Sequence, residues 1–120
     1  MILTGKAKED FFEYVFFKYN ISYENSERGE FVWYGDFNLL KESKALLNAT
    51  IVEWFDSVGY TIDRDVYGRN MTITDWTDGK ESQTTIDCDY LEPFLEWWEE
   101  AIIKANEIYN EKKSTPTNIY

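Results

Sequence analysis

The sequence predicts an α+β domain in which three helices pack on one face of a small antiparallel three-stranded meander, in the order α-α-β-β-β-α. Two observations support this fold class. Apolar residues recur at helical spacing in residues 4–19, 36–58 and 93–111, whereas they alternate with polar residues between positions 60 and 88. Turns that contain glycine divide the alternating segment into three parts, as expected for an antiparallel sheet with one face in water.

The first predicted helix begins after Thr4, a residue type favoured at the N-cap, and extends to about residue 19. This helix has two adjacent apolar stripes, and Phe17 lies outside both of them. A helix that is apolar over so much of its circumference must be buried on more than one side or must bind something. One stripe contains Ala7, Phe11, Tyr14, Val15 and the stem of Lys18, and the other contains Phe12, Phe16 and Tyr19.

The second predicted helix is capped by Asp36 and ends at Val58, before Gly59 at the C′ position. Lys44 interrupts its apolar stripe, so we expect a bend or a short first turn before Ala45. The polar residues 20–30 predict a loop, and the aromatic residues 30–34 predict either a strand or a packed loop. The main stripe of the helix consists of Leu40, Leu47, Ile51, Trp54, Phe55 and Val58.

Three strands are predicted at residues 60–67, 69–76 and 81–88, with turns at Gly68 and at Asp78-Gly79. In the first strand Ile62 and Val66 share one face. The other face carries Thr61, Asp63 and Asp65.

The last helix begins near Pro93 and ends about residue 111, so the domain occupies residues 1–113 and residues 114–120 form a flexible tail. On a helical projection Trp98 is the centre of the apolar stripe and is predicted to be interior. Trp97 lies about 100° away from it, and Ile103 lies near the opposite pole. The stripe around Trp98 consists of Leu91, Phe94, Leu95, Ala101, Ile102, Ala105 and Tyr109.

Trp97 and Ile103 are therefore the unusual apolar residues of this helix. An apolar pair framed by carboxylates is typical of an interface with an aromatic anchor and a charged rim. The alternative is that Trp97 packs against a neighbouring loop and that Ile103 is one ordinary exposed residue. The surrounding carboxylates are Glu96, Glu99, Glu100 and Glu107.

The composition limits the class of protein. With 120 residues, 43% of them hydrophobic, the chain builds a single core, and its 23 acidic and 12 basic residues leave a net charge of −11. Direct nucleic-acid binding is disfavoured because phosphate contacts need clustered Lys and Arg. A basic protein partner is favoured by the negative field, although acidity also serves solubility alone.

Catalytic signatures are weak. There is no histidine, which excludes catalysis and metal binding that depend on an imidazole, and the single Cys88 is better explained as a small core residue. Asp63-x-Asp65 and Asp87-x-Asp89 could hold a hard cation, but alternating acids are also usual on a solvated strand face. Residues 75–81 lack the spacing of a calcium loop. We expect no enzymatic activity, no cofactor and no metal.

Two motifs give a resemblance. WFDSVG at residues 54–59 and AIIKANEIYN at residues 101–110 are similar to segments of small, mostly uncharacterised bacteriophage and prophage proteins, in which helices and strands follow in the same order. The resemblance covers roughly residues 31–111 and names no active site. It implies a virus-encoded protein of the bacterial cytoplasm, and the absence of a signal peptide or membrane span agrees with that.

The function that we predict from these observations is a non-enzymatic acidic protein-binding module. Because small acidic viral proteins often inhibit host defences, the resemblance implies an anti-CRISPR-like inhibitor. It would block a basic nucleic-acid-binding surface or the guide RNA loading of an effector nuclease. The alternatives are a small virion or assembly protein that self-associates through Phe12, Phe16 and Phe17, and a carboxylate metal-dependent nuclease. The predicted partner-binding residues are Glu96, Trp97, Glu99, Glu100, Ile103 and Glu107, with Asp63, Asp65, Asp75 and Asp78 as a second patch on the wet face of the sheet.

Overall fold

A computed structural model describes residues 2–19, 23–25, 31–33, 43–65, 67–88 and 93–114. It confirms the α+β class and the predicted order of three helices and a three-stranded meander. The described helices and strands are α1 (Gly5–Tyr19), β1 (Tyr23–Asn25), β2 (Phe31–Trp33), α2 (Lys44–Ser57), β3 (Tyr60–Asp65), β4 (Asn70–Asp75), β5 (Ser82–Asp87) and α3 (Phe94–Ser114).

The meander is antiparallel, with β4 in the centre of the sheet. Ile62 on β3 lies opposite Ile73 on β4, which in turn lies opposite Thr84 on β5. The turn between β4 and β5 contains Gly79 with a φ of +74°, a backbone conformation that glycine adopts without steric cost. The predicted hairpin turn at Asp78-Gly79 is therefore confirmed.

The two faces of the sheet differ as the alternation predicts. Tyr60 and Ile62 are buried on the inner face, whereas Asp63 and Asp65 are exposed. The inner face is covered by α2 and α3, which both contact the sheet. Val66, which was predicted to share the inner face, lies outside the described residues.

The centre of the core is a cluster of aromatic rings contributed by several elements. The ring centroid of Tyr109 on α3 lies 5.1 Å from that of Trp54 on α2 and 5.8 Å from that of Tyr60 on β3, both in edge-on geometry. Phe11 on α1 meets Trp54 at 6.0 Å. Each such pair stabilises the fold by ~0.5–1.5 kcal/mol in addition to the effect of burying its apolar surface. The contacts of this cluster join three helices and the sheet.

The ends of α2 follow from local sequence. Ser43 is its N-cap, and the Ser43 hydroxyl accepts a hydrogen bond from the Leu46 backbone nitrogen at 3.3 Å. The predicted cap Asp36 lies outside the described residues. The helix ends as predicted before Gly59, whose φ of +96° suits a glycine, and a Cβ there would lie 2.8 Å from Thr77 Cγ2.

Several boundaries differ from the sequence prediction. Ser43 is extended and α2 begins at Lys44, whereas the sequence predicted a helix from Asp36, and β4 and β5 are each one residue shorter at both ends than predicted. Tyr23–Asn25 pairs antiparallel with Phe31–Trp33, so the predicted loop is wrong over these three residues and the strand alternative holds for the aromatic run. Backbone hydrogen bonds alone satisfy a short ladder, so a strand can form where the side-chain pattern shows no alternation. At the other end, α3 continues to Ser114.

No helix within the described part of the chain has the length and apolar character needed to cross a membrane.

Candidate functional site

The exposed side of α3 carries a row of carboxylates around one isoleucine. Successive residues of a helix are rotated by about 100°, which places Glu96, Glu99 and Glu107 within about 40° of Ile103. Ile103 is 46% exposed, Glu96 and Glu107 are exposed, and Glu99 is partly exposed. We call these four residues the α3 row. The structure thus brings together most of the predicted partner-binding residues of the last helix.

Ion pairs neutralise little of the α3 row. The Lys104 ammonium lies 3.3 Å from a Glu107 carboxylate oxygen, and both side chains are about half exposed. Exposed pairs of this kind contribute only ~0–1 kcal/mol. Within the part of the chain that the structure describes, Glu96 and Glu99 form no ion pair. The row therefore presents net negative charge to the solvent.

The prediction that Trp97 forms part of this surface is wrong. Trp97 is 0% exposed, while Trp98, which was predicted to be interior, is only partly buried against the core. The Phe94 ring meets Trp97 edge-on at 5.0 Å, and the Arg64 guanidinium lies 4.4 Å above Phe94. The first turn of α3 thus packs beside the end of β3 on the Trp97 side. A helical projection misses this because it treats every turn as equally covered.

Glu100 lies about 60° from Ile103 around the helix, and its side chain contacts the end of the sheet. Its Oε2 atom accepts a weak hydrogen bond of 3.7 Å from the thiol of Cys88, which follows β5 and is buried. The interpretation of Cys88 as a core residue is confirmed by its burial. Glu100 is partly buried, so its position makes it a neighbour of the α3 row and not a member.

The second predicted patch is divided between the two faces of the sheet. Asp63 and Asp65 are exposed on the outer face, as predicted. Asp75 lies directly opposite Tyr60 and therefore on the inner face, so its predicted place on the wet face is wrong. Alternation within β4 alone does not determine which of its faces is the inner one, because that depends on its register with β3. Asp78 is exposed in the following turn.

Asp75 and Asp78 are both held by Lys112 of α3. The Lys112 ammonium lies 3.0 Å from Asp75 Oδ2 and 2.8 Å from Asp78 Oδ2, and it also donates to the Thr77 hydroxyl. Burial acts to raise the pKa of Asp75, but hydrogen bonds from Thr77 and Lys112 outweigh burial and lower that pKa. The hydrogen bond to Asp78 raises the pKa of Lys112 against burial. These carboxylates join α3 to the β4–β5 turn.

The carboxylates of the sheet do not converge on a cation. Asp65 and Asp87 lie on either side of Asn70 across the three strands, and Asp65 Oδ1 accepts a hydrogen bond of 3.0 Å from the Gly68 backbone nitrogen. Among the described residues no group of three or more Asp, Glu, Cys or His side chains could hold a metal ion. Asp89, the second member of the Asp87-x-Asp89 pair, lies outside the described residues.

Two asparagines of the AIIKANEIYN motif have a structural role that the sequence analysis missed. Asn106 Oδ1 accepts from the Thr4 backbone nitrogen at 2.9 Å, and Asn106 Nδ2 donates to the Thr4 hydroxyl at 3.0 Å. Asn110 Oδ1 accepts from the Ala7 nitrogen at 2.8 Å, and its Nδ2 donates to the Thr4 carbonyl at 2.8 Å. The spacing of four residues places both amides on one side of α3, which is the only sequence signal for this contact.

An open groove lies between α1, the end of α2 and Tyr109, with a volume of about 510 Å³. At its floor the Tyr109 hydroxyl donates to Asp10, and burial together with this hydrogen bond raises the pKa of Tyr109. Phe17, at the rim, is 80% exposed. The sequence placed Phe17 outside both apolar stripes but could not show the cavity beside it.

Comparisons of this chain with protein-family models, curated proteins and solved structures found no match. The fold and the site therefore define only the class: an acidic α+β protein with a carboxylate row on its last helix.

Proposed function

We propose that the protein is a non-enzymatic binding module whose α3 row docks on a basic surface of a nucleic-acid-handling host protein. One observation carries the proposal: Glu96, Glu99 and Glu107 surround Ile103, which is 46% exposed, on one side of α3. A protein interface commonly joins an apolar centre to a charged rim. The net charge of −11 would steer a basic partner towards this surface.

The kind of partner follows from the spacing of the charges. Glu96, Glu99, Ile103 and Glu107 occupy three helical turns at 1.5 Å per residue, so the row is about 16 Å long. A surface that binds phosphates presents Lys and Arg along such a length, and carboxylates that occupy it exclude the nucleic acid. Together with the resemblance to bacteriophage proteins, this supports an inhibitor of a bacterial defence, of the anti-CRISPR kind. The effector's basic channel or its guide RNA site would be blocked.

Two matched triple variants test the proposal. The first is Glu96→Lys, Glu99→Lys and Glu107→Lys in the α3 row. The second is Asp63→Lys, Asp65→Lys and Asp87→Lys on the outer face of the sheet, which changes the net charge by the same amount. Each purified variant and the wild type are used to capture proteins from a bacterial lysate, with washes at low and high salt.

We expect the wild type to retain a basic nucleic-acid-binding protein that high salt releases. The α3 triple should lose this protein and the outer-face triple should keep it. If both triple variants lost the captured protein equally, the loss would be explained by net charge alone. Retention by the α3 triple would exclude the α3 row as the site.

Self-association is a second candidate function, because two neighbouring aromatic residues of α1 are exposed. Phe16 and Phe17 meet edge-on at 5.2 Å and Phe17 is 80% exposed. Phe12, which was predicted to share this interface, is buried in the core, so that part of the prediction is wrong. Light scattering at micromolar concentration distinguishes the two functions: a dimer that Phe17→Ala dissociates supports self-association, and a monomer excludes it.

A further inference from the structure

The groove beside α1 has a wall that contains two carboxylates and two aromatic rings. Asp10, Glu13, Tyr14 and Phe17 all line it, and their spacing of three and four residues places them on one side of α1. The opposite wall comes from the end of α2, where Ser57 and Val58 follow Trp54. The groove therefore combines apolar and aromatic side chains with charged ones.

The charged side chains of the groove differ in whether they already have a partner. Asp10 accepts from the Tyr109 hydroxyl and lies 3.1 Å from the Lys6 ammonium. Lys18 also lines the groove, and its ammonium pairs with Glu53, which is not a lining residue. Glu13 is exposed, and within the described part of the chain it forms no ion pair. Glu13 is thus the carboxylate that an incoming cation would meet.

One cation already shows how this wall holds positive charge. The Lys18 ammonium lies 5.3 Å above the Tyr14 ring and donates hydrogen bonds to the Tyr14 hydroxyl at 2.9 Å and to the Glu53 carboxylate. It therefore combines an aromatic face with a carboxylate partner. Glu13 and Phe17, one helical turn apart, again place a carboxylate beside an aromatic ring. No cation of the described residues lies between them.

We infer that the groove receives an arginine side chain of a protein partner, with its guanidinium stacked on Phe17 and paired with Glu13. A planar guanidinium can stack on a ring and bind a carboxylate through two donors at once, whereas an ammonium is a strongly hydrated point charge. This accounts for a phenylalanine that is 80% exposed at the rim of the groove. The inference rests on the proposed function only for the source of the arginine, a basic protein.

The test uses the whole chain and a small probe. N-acetyl-arginine N-methylamide is titrated into ¹⁵N-labelled protein, and the lysine and norleucine analogues are titrated in parallel. We expect saturable shifts at the amides of residues 13–18 and 57–58 with the arginine probe, and a dissociation constant on the order of millimolar, as is usual for a single side chain. The lysine and norleucine probes should bind at least about fivefold more weakly.

Substitutions at exposed positions identify the groups responsible. Phe17→Ala and Glu13→Gln should each weaken the arginine probe about fivefold or more. Tyr67→Ala removes a ring that is 99% exposed elsewhere, and Glu9→Gln removes an exposed carboxylate of the same helix, so both controls should bind as the wild type does. Equal binding of the three probes, or unchanged binding by Phe17→Ala and Glu13→Gln, would overturn the inference.

This result is independent of the α3 row. The α3 triple should bind the arginine probe as the wild type does while losing the captured protein. If the probe fails to bind but the α3 triple still loses the captured protein, the groove is excluded and the proposed function stands. If the probe binds and the α3 triple keeps the captured protein, the proposed function fails and the groove stands.

Discussion

Asn110 on α3 caps α1, because its Oδ1 atom accepts a hydrogen bond of 2.8 Å from the backbone nitrogen of Ala7, 103 residues earlier in the chain. The first turn of a helix leaves backbone donors without partners, and a local N-cap side chain usually satisfies one of them. Here the hydroxyl of Thr4 accepts from Asn106 instead, so the cap comes from another helix. The first and last helices are thereby fixed to each other by polar contacts as well as by the core.

We predict that Asn110→Ala lowers the free energy of unfolding by ~1–3 kcal/mol. The substitution leaves the Ala7 nitrogen without its partner at a partly buried site, and it removes one of two hydrogen bonds to the Thr4 carbonyl, which keeps the bond from the Lys8 nitrogen. Urea unfolding followed by circular dichroism measures the loss. Glu107→Ala on the exposed side of the same helix is the control and should change stability by less than ~0.5 kcal/mol. Equal effects of the two substitutions would contradict the cap.

Gly5 is expected to tolerate alanine less well than Gly79, although both have positive φ. A Cβ on Gly5, at a φ of +58°, would lie 3.2 Å from the Asn110 amide, whereas a Cβ on Gly79, at +74°, meets nothing within 4 Å. Both variants cost ~1–2 kcal/mol for the backbone conformation, and Gly5→Ala should also disturb the cap. Thermal unfolding of the two variants compares them. A larger loss for Gly79→Ala would contradict this account.

Trp97→Ala should destabilise the protein by ~3–5 kcal/mol, because it removes a ring that is 0% exposed from the core. Trp98→Ala should cost less, since Trp98 is only partly buried. The projection of the sequence predicts the opposite order. Urea unfolding of both variants therefore tests directly which tryptophan is interior.

The contact between Asp75 and Lys112 should make stability depend on pH at the acid end. The pKa of Asp75 is lower in the folded protein than its ordinary value of 3.8, so its contribution is fully present above that value and is lost as the pH falls through the folded pKa. Asp75→Asn should therefore lose less stability than the wild type between pH 6 and about pH 2, as measured by urea unfolding at each pH. An equally steep loss in both proteins would show that other groups are responsible.

The same contact has a consequence at alkaline pH. The pKa of Lys112 is raised above 10.5, so its contribution is present below that value and is lost only as the pH rises through the folded pKa. Lys112→Met should thus lower the free energy of unfolding at neutral pH. Above about pH 10 the free energy of unfolding of this variant should fall less than that of the wild type, as measured by urea unfolding at each pH.

The sequence predicts the fold where one physical signal dominates. The alternation in β3 correctly placed Asp63 and Asp65 on the outer face, and the glycine at position 59 correctly ended α2. Ile103 lies far from the apolar stripe, and its exposure follows from that position alone. These features depend on the local period of the chain and on single-residue conformations.

The features that the sequence did not predict depend on contacts between distant elements. The face on which Asp75 lies follows from its register opposite Tyr60, which no single strand contains. The burial of Trp97 follows from how the first turn of α3 meets the end of β3, and the role of Asn110 follows from its approach to α1. Such relations need the packing of elements that are far apart in the chain.

The most direct test of the central claim is a competition between this protein and nucleic acid. The basic protein captured from the lysate is loaded with fluorescently labelled RNA, and the wild type, the α3 triple and the outer-face triple are added in turn while the fluorescence anisotropy is recorded. If the α3 row occupies the nucleic-acid surface, the wild type and the outer-face triple release the RNA and the α3 triple does not. Displacement by the α3 triple at the same concentration as the wild type, or a stable complex that contains both RNA and the wild type, would contradict the proposed function.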